Sequence, residues 1–275
     1  MTSERTTRIL ITGATGSLGR VVHRRAAAAG WAATGTYFAA AGEGATVRLD
    51  IRDPADVRRV LGDTRPDVIV HTAAGRDRND WAATADGAAN VAVAAAAQGV
   101  RLVHLSTDAL FSGRDVHYDE DALPDPVYRY GAAKAAAETA VRAIAPDAAV
   151  IRTSLILGDG NGGHEHLTRD LIAGRVRGAL FTDEIRKPVH VDDLAAALLE
   201  VAAGDFRGVL NVAGADPISR YDLGVLVARR EGLDPAAIAA APTPPGRPAD
   251  VRLVIDRAQK LLATRLRGVH EFLAA

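Results

Sequence analysis

The sequence predicts an α/β protein built on a doubly wound parallel sheet, with a smaller lobe supplied by its C-terminal part. Three observations carry this. Apolar, strand-like runs alternate with helix-like stretches over residues 1–153, the rhythm of parallel strands joined by helical crossovers. Those runs are apolar throughout rather than every second residue, as expected of strands covered on both faces. A glycine-rich turn separates the first strand from the first helix.

The elements follow in order. RILIT (8–12) is the first strand, followed by the glycine turn and a helix over 16–29. Residues 34–38 and 46–49 read as the next strands, with a helix over 54–61. DVIVH (67–71) has the pattern of a buried strand, 90–98 lies on an alanine-rich helix, and RLVHLS (101–106) is a strand again. A helix over 130–144 and a strand over 149–152 complete the regular part. Beyond it, GDGNGGHEH (158–166) is expected to be a solvated glycine-rich loop. Residues 191–203 and 221–231 are expected to be helices, 209–212 a returning strand, and APTPPGRP (241–248) extended. The expected organisation is a sheet domain over 1–153 with a contribution from 189–213, and a smaller lobe from 154–188 and 214–275. Open α/β sheets bind ligands at the C-terminal edge, under such a lobe.

Composition removes several functions. The 275 residues include 33 Lys or Arg and 34 Asp or Glu, a formal charge of −1 without a long block of either sign. This argues against a dedicated nucleic-acid or membrane-surface binder. Cysteine is absent, which excludes disulfides, cysteine zinc sites and thiol nucleophiles and fits a cytoplasmic protein. Residues 1–8 lack the apolar stretch of a signal peptide. No run approaches the ~18 apolar residues of a membrane span. His164, Glu165 and His166 lack metal-ligand spacing, so no metal site is expected.

ITGATGSLG sets Gly13, Gly16 and Gly19 three apart between strand and helix. The first allows the tight turn, the second lets backbone N–H groups approach a pyrophosphate, and the third lets the helix pack on the strand. The helix N-terminus then turns partial positive charge toward the phosphates. A plain structural turn is the alternative; the position at the first strand and first helix favours the Rossmann dinucleotide fingerprint. A carboxylate at the end of the second strand would hold the ribose of NAD. The stretch here is GTYFAAAGEG, with Glu43 arriving only in the loop. The cofactor is therefore NADP(H) or NAD(H), with a lean to NADP(H), although no arginine at that strand end demands it. Asp50 could accept a hydrogen bond from adenine, or it or Asp53 could cap the helix starting near Pro54.

In VYRYGAAKAAAE, Tyr130 and Lys134 are four apart and share a helix face. A nearby ammonium favours phenolate, so the phenol can exchange its proton with a substrate oxygen near neutral pH. Tyr128 is expected to project the opposite way. Upstream, RLVHLSTDALF ends a strand with Ser106, Thr107 and Asp108, where a ligand crevice should lie. Arg186 could clamp a substrate diphosphate; the alternative for Arg186 and Lys187 is a solvated surface pair. Asp192 and Asp193 are expected to cap the helix they open, and His71 to be a packed core-edge histidine.

TGATGSLG, RPDVIVHTAA, HLSTDALF, YGAAKAAAE and IRTSLILG, in this order and spacing, resemble the extended short-chain dehydrogenase/reductase family over roughly residues 8–202. Within it the chain is most similar to dTDP-4-dehydrorhamnose reductases and related sugar-nucleotide-binding proteins. The resemblance implies reduction of a keto group on a nucleotide-linked sugar. It implies that Tyr130 protonates the carbonyl oxygen, that Lys134 holds the nicotinamide ribose and lowers the tyrosine pKa, and that Thr107 hydrogen-bonds the substrate oxygen, with Asp108 beside it. Gly13, Ala14, Thr15, Gly16, Ser17, Leu18 and Gly19 match the phosphate loop. Asp50 and Ile51 match the pair beside adenine, and Ala73 and Ala74 the small residues beside the cofactor. Asn90 stands where the family often has a helix asparagine; an ordinary surface residue is the alternative.

The chain departs from the family where the substrate should lie: Leu155 replaces an aromatic after RTS, and GRDRNDW follows HTAA. Sugar-nucleotide dehydratases place Asp-Glu after the threonine, whereas Asp108 is followed by Ala109. A 4-epimerase, another carbonyl oxidoreductase and a non-catalytic dinucleotide-binding protein remain open, as does a homodimer.

Overall fold

The computed structural model describes residues 6–75, 77 and 79–274. The apolar runs lie side by side as strands. They are β1 (Arg8–Thr12), β2 (Ala32–Tyr37), β3 (Ala45–Arg48), β4 (Val68–His71), β5 (Arg101–Thr107), β6 (Ala149–Thr153) and β7 (Gly208–Asn211). They form a seven-stranded sheet of order β7-β6-β5-β4-β1-β2-β3. β1 pairs in parallel with β2 and β4, β2 with β3, and β4 with β5. Strand order reverses between β1 and β4, which places a crevice outside their C-terminal ends.

Both sheet faces are dry. Leu10, Ile69, Leu102 and Val150 point into one core with Val57, Val60 and Leu61 of α2 (Pro54–Thr64), Val91 and Ala95 of α3 (Gly87–Gln98), and Ala137 and Val141 of α4 (Arg129–Ile144). Ile9, Ile11, Val70 and Val103 alternate with them and are equally buried. Local signals set the ends. Asp53 accepts the Ala55 N–H ahead of Pro54 and so caps α2, leaving Asp50 without that job. Gly99, at φ +64°, ends α3 in the left-handed region.

The chain packs as two units. One contains the chain up to Ser106, Ala132–Ile151 and Ala195–Val209; the other contains Thr107–Gly131, Arg152–Leu194 and the chain from Leu210. Residues 107–131, placed by sequence in the sheet domain, group with the second unit. Arg152 ties them there by donating to the carbonyls of Asp119, Glu120 and Ala122, and His117–Tyr118 pairs with Arg252–Leu253. The second unit has small cores of its own, one of them around Leu157, Ile218, Leu223, Val227 and Val269.

One expected loop is half helix. Residues 158–162 are irregular, but α5 spans Gly163–Ile172 and buries His164 and Glu165. Glu165 accepts the N–H groups of Gly158 and Gly162 and pairs with Arg230 at 2.7 Å. A carboxylate that satisfies the N-cap amide, an amide of the loop before it and a cation can be buried; the glycines hid this from the sequence.

His71 and His104 face each other across β4 and β5, buried, with ring centres 5.3 Å apart. Thr12 Oγ1 lies 2.7 Å from His71 Nδ1. Burial, and then the charge of Lys134, push His71 down to about 3, and the same causes hold His104 well below its ordinary value. Both rings are neutral when folded, whereas the unfolded chain protonates near pH 6.5. Stability contributed by the pair is complete above that pH and falls as the pH drops toward about 3. Urea denaturation followed by circular dichroism at decreasing pH should show the folded-to-unfolded equilibrium constant falling about tenfold per pH unit per histidine between pH 6.5 and about 3. His104→Leu should flatten that slope.

Candidate active site

The glycine turn depends on close backbone approach. Gly13 has φ +72°, and a Cβ there would lie 2.9 Å from Ala73 Cα. A Cβ on Gly19 would lie 2.3 Å from the Gly13 carbonyl oxygen. Gly16 is the N-cap of α1 (Ser17–Ala28), whose first turn contains no acidic residue. Ala14 donates to Thr36 O at 2.9 Å, pinning the loop to β2. Thr15 and Gly16 are exposed, Ser17 is half-buried, and Leu18 and Gly19 are buried under the loop. Ala73 closes against Gly13, while Ala74 is exposed.

At the end of β3, the Asp50 carboxylate accepts two bonds from the Arg52 guanidinium, each 2.8 Å. The Arg52 hydrogen bond is the main cause holding Asp50 below the usual carboxylate range. Ile51 is buried, and its carbonyl accepts Asn90 Nδ2 at 3.0 Å. Asn90 therefore ties α3 to this turn. Of the divergent segment GRDRNDW, Arg76 and Arg78 lie outside the described residues.

Helix α4 begins at Arg129, so Tyr130 sits in its first turn and Lys134 one turn further on. Lys134 is buried, and its Nζ donates to Leu105 O, near the end of β5, at 2.6 Å. Burial pushes its pKa down to about 8, against the opposing charge of Glu138. Glu138, another turn on, is buried and accepts a 3.1 Å bond from Ser106 Oγ. The sequence reading missed this carboxylate; its signal is the i+4 step from Lys134. Tyr128 does not project away from Tyr130. The chain turns into the helix between them, and the rings lie 6.4 Å apart, 27° from parallel. Tyr118 is buried against Phe111, its hydroxyl accepting the Gly113 and Asp115 N–H groups.

Thr107 ends β5, and its Oγ1 accepts the Ala109 N–H at 3.2 Å. Gly131 lets the first turn of α4 close on this segment, since a Cβ there would be 2.2 Å from Ala109 O. Asp108 is buried, accepts Ser154 Oγ at 2.6 Å, and lies 3.8 Å from Arg186 Nε. Burial raises its pKa, opposed by Arg186 and by the Ser154 bond.

Arg186 and Lys187 are not a solvated pair. Arg186 is buried and donates to the carbonyls of Ile185, Pro248 and Ala249. Lys187 donates to Leu253 O. Arg186 also meets buried Glu184 at 3.5 Å, as does Arg220, and Arg247 binds Glu184 at 2.9 Å while lying 5.1 Å over Phe181. Sequence reasoning missed Glu184, Arg220 and Arg247, because their shared focus is tertiary. Asp193 binds Arg267 at 2.7 Å, and the Asp192 N–H donates to His190 Nδ1. These contacts occupy Asp193 in a role other than the expected helix cap. Among the described residues no group of three His, Asp or Glu side chains could hold a metal ion.

A doubly wound sheet, a glycine-rich turn between its first strand and helix, and a helix carrying Tyr130 and Lys134 define a Rossmann-type protein of the short-chain dehydrogenase/reductase class. The chain belongs to the RmlD substrate binding domain family, which matches residues 7–275. It is 34% identical over 283 aligned positions to dTDP-4-dehydrorhamnose reductase of Mycolicibacterium smegmatis, covering 97% of this chain and 84% of that one. It is 29% identical over 242 positions to methionine adenosyltransferase 2 subunit beta of Bos taurus, covering 80% and 71%. The crystal structure of dTDP-4-dehydrorhamnose reductase from Bacillus anthracis in complex with NADP superposes with a TM-score of 0.83 at 25% identity, covering 98% and 97% of the two chains.

Lys134 carries a stability cost with a defined pH window. Its folded pKa, about 8, lies below the ordinary 10.5, so the cost is complete below pH 8 and is relieved as pH rises toward 10.5. In urea denaturation, Lys134→Met should be more stable than the wild type at pH 7, and this advantage should shrink between about pH 8 and 10.5.

Proposed function

We propose that this protein is an NAD(P)H-dependent reductase of a keto group on a nucleotide-linked sugar, of the dTDP-4-dehydrorhamnose reductase type. The observation that carries this is the buried ammonium of Lys134, held on the Leu105 carbonyl one helical turn beyond Tyr130. Burying a lysine is costly, and a solvated helix face would not do it. A nicotinamide dinucleotide suits the residues: Gly13 and Gly19 have no room for a Cβ, and no acid opposes phosphate at the first turn of α1.

When bound, the dinucleotide supplies hydride to the carbonyl carbon. Tyr130 gives its phenolic proton to the carbonyl oxygen, and the Lys134 charge stabilises the phenolate left behind. Thr107 Oγ1 already accepts from Ala109, and its own proton reaches Asp108 only at 3.4 Å, so it can turn to the substrate oxygen. Gly13, Thr15, Gly16, Ser17, Leu18 and Gly19 hold the pyrophosphate, Ala73 and Ala74 border the cofactor, and Asp50 and Ile51 border adenine. Arg186 and Asp108 frame the substrate side, while half-exposed Arg247 of the same cluster is better presented to a substrate diphosphate. Among the described residues no helix is long and apolar enough to cross a membrane; the cysteine-free composition supports a cytoplasmic location.

The relatives named methionine adenosyltransferase 2 subunit beta support a second reading, a dinucleotide-binding subunit without reductase turnover. Loss of nicotinamide absorbance with dTDP-4-keto-6-deoxyhexoses decides between them. The wild type should oxidise the cofactor. Tyr130→Phe should lower turnover by about 10²- to 10⁴-fold while still binding it. Wild-type cofactor binding without oxidation would favour the subunit, and full turnover by Tyr130→Phe would remove that residue from the mechanism.

A further inference from the structure

Helix α4 buries two opposite charges among alanine and valine. Lys134 is 6% and Glu138 1% exposed, and Ala133, Ala137 and Val141 beside them are buried. Glu138 stands one helical turn beyond Lys134, as Lys134 stands one turn beyond Tyr130. Taking either charge out of water is costly unless a partner offsets it.

Adjacent residues of β5 hold the two charges. Lys134 Nζ donates to Leu105 O at 2.6 Å, and Ser106 Oγ donates to Glu138 Oε2 at 3.1 Å. The Leu105 carbonyl offers Lys134 only a partial charge. The titratable groups facing Lys134 from the sheet are His71 of β4 and His104 of β5, both buried and neutral when folded. They supply no negative charge. Among the described residues Glu138 is the group whose charge favours the ammonium against its burial.

A tie between helix and strand does not require that charge. The amide oxygen of a Glu138→Gln variant could accept the same Ser106 bond. What the carboxylate alone supplies is a field at Lys134, strengthened by the exclusion of water.

We propose that Glu138, anchored by Ser106, is a positioning residue that keeps the Lys134 ammonium charged beside Tyr130. This rests on the role given to Lys134 in the proposed function. Without the carboxylate, burial drives the lysine toward its neutral amine. A neutral amine leaves the Tyr130 phenolate without a counter-charge. Glu138 thus acts through Lys134.

The test reads the lysine directly. The chain has three lysines, Lys134, Lys187 and Lys260, so isotopic labelling at lysine Cε gives few resonances to titrate by NMR, and Lys134→Met assigns one of them. Lys134 should titrate near pH 8 in the wild type. In Glu138→Gln its midpoint should fall by about one pH unit or more, with Lys187 and Lys260 unmoved and the circular dichroism unchanged. Ser106→Ala keeps the carboxylate but removes its hydrogen bond, and should move the midpoint the same way by less. Glu138→Asp should restore part of the loss. In turnover of a dTDP-4-keto-6-deoxyhexose, the alkaline fall of kcat should move down in pH with the Lys134 midpoint, while KM for the sugar stays unchanged. An unmoved Lys134 midpoint in Glu138→Gln overturns the proposal and leaves the reductase reading standing. If that variant does not fold, an unmoved midpoint in Ser106→Ala does the same. A midpoint that moves, in a protein whose wild type shows no turnover, upholds the hold of Glu138 on Lys134 and overturns the reductase reading.

Discussion

The ammonium of Lys134 has left water for the carbonyl oxygen of Leu105, and the charges and protonation of Glu138, His71 and His104 are tied to it. Its partners are few: one carbonyl at 2.6 Å and the buried carboxylate of Glu138 a turn away, itself satisfied by Ser106. Beneath it, His71 and His104 stay neutral, partly because that charge is near. A cation kept in a low-dielectric place acts more strongly on a neighbouring phenol than one in water. A destabilising buried cation of this kind is the usual pattern of perturbed titration at functional sites, and the reaction proposed above would use it.

The second unit uses a related device with the signs exchanged. Glu184 is buried and meets Arg186, Arg220 and Arg247, a surplus of positive charge around one carboxylate. Arg186 spends its remaining donors on three backbone carbonyls, which makes it framework. Arg247 stays half in water. Such a cluster holds loop segments in register while leaving one guanidinium face available, which neither a lone surface arginine nor a fully buried one could do.

Much of this was legible in the chain itself. The strands through residue 153, the glycine loop and the Tyr130–Lys134 step come from short-range rules: apolar runs, three-residue glycine spacing, four-residue helical spacing. The structure places each where those rules put it, within a few residues. The errors share a cause. Glu165 and Arg186 looked solvated, because a charged residue near glycine or beside another cation usually is. Each is buried because partners dozens of residues away, Arg230 for one and the carbonyls of Pro248 and Ala249 for the other, satisfy it. Tyr128 looked opposed to Tyr130, because a backbone turn between them leaves no mark in residue type.

Local periodicity and backbone sterics therefore suffice to determine the sheet, its glycine loop and the Tyr130–Lys134 spacing on one helix, since those preferences act over a few residues. The sequence alone could not decide which charges are desolvated, nor that Ser106 of β5 meets Glu138 of α4. Burial and charge pairing depend on segments far apart in the chain, and only the packed tertiary structure brings them within reach of one another.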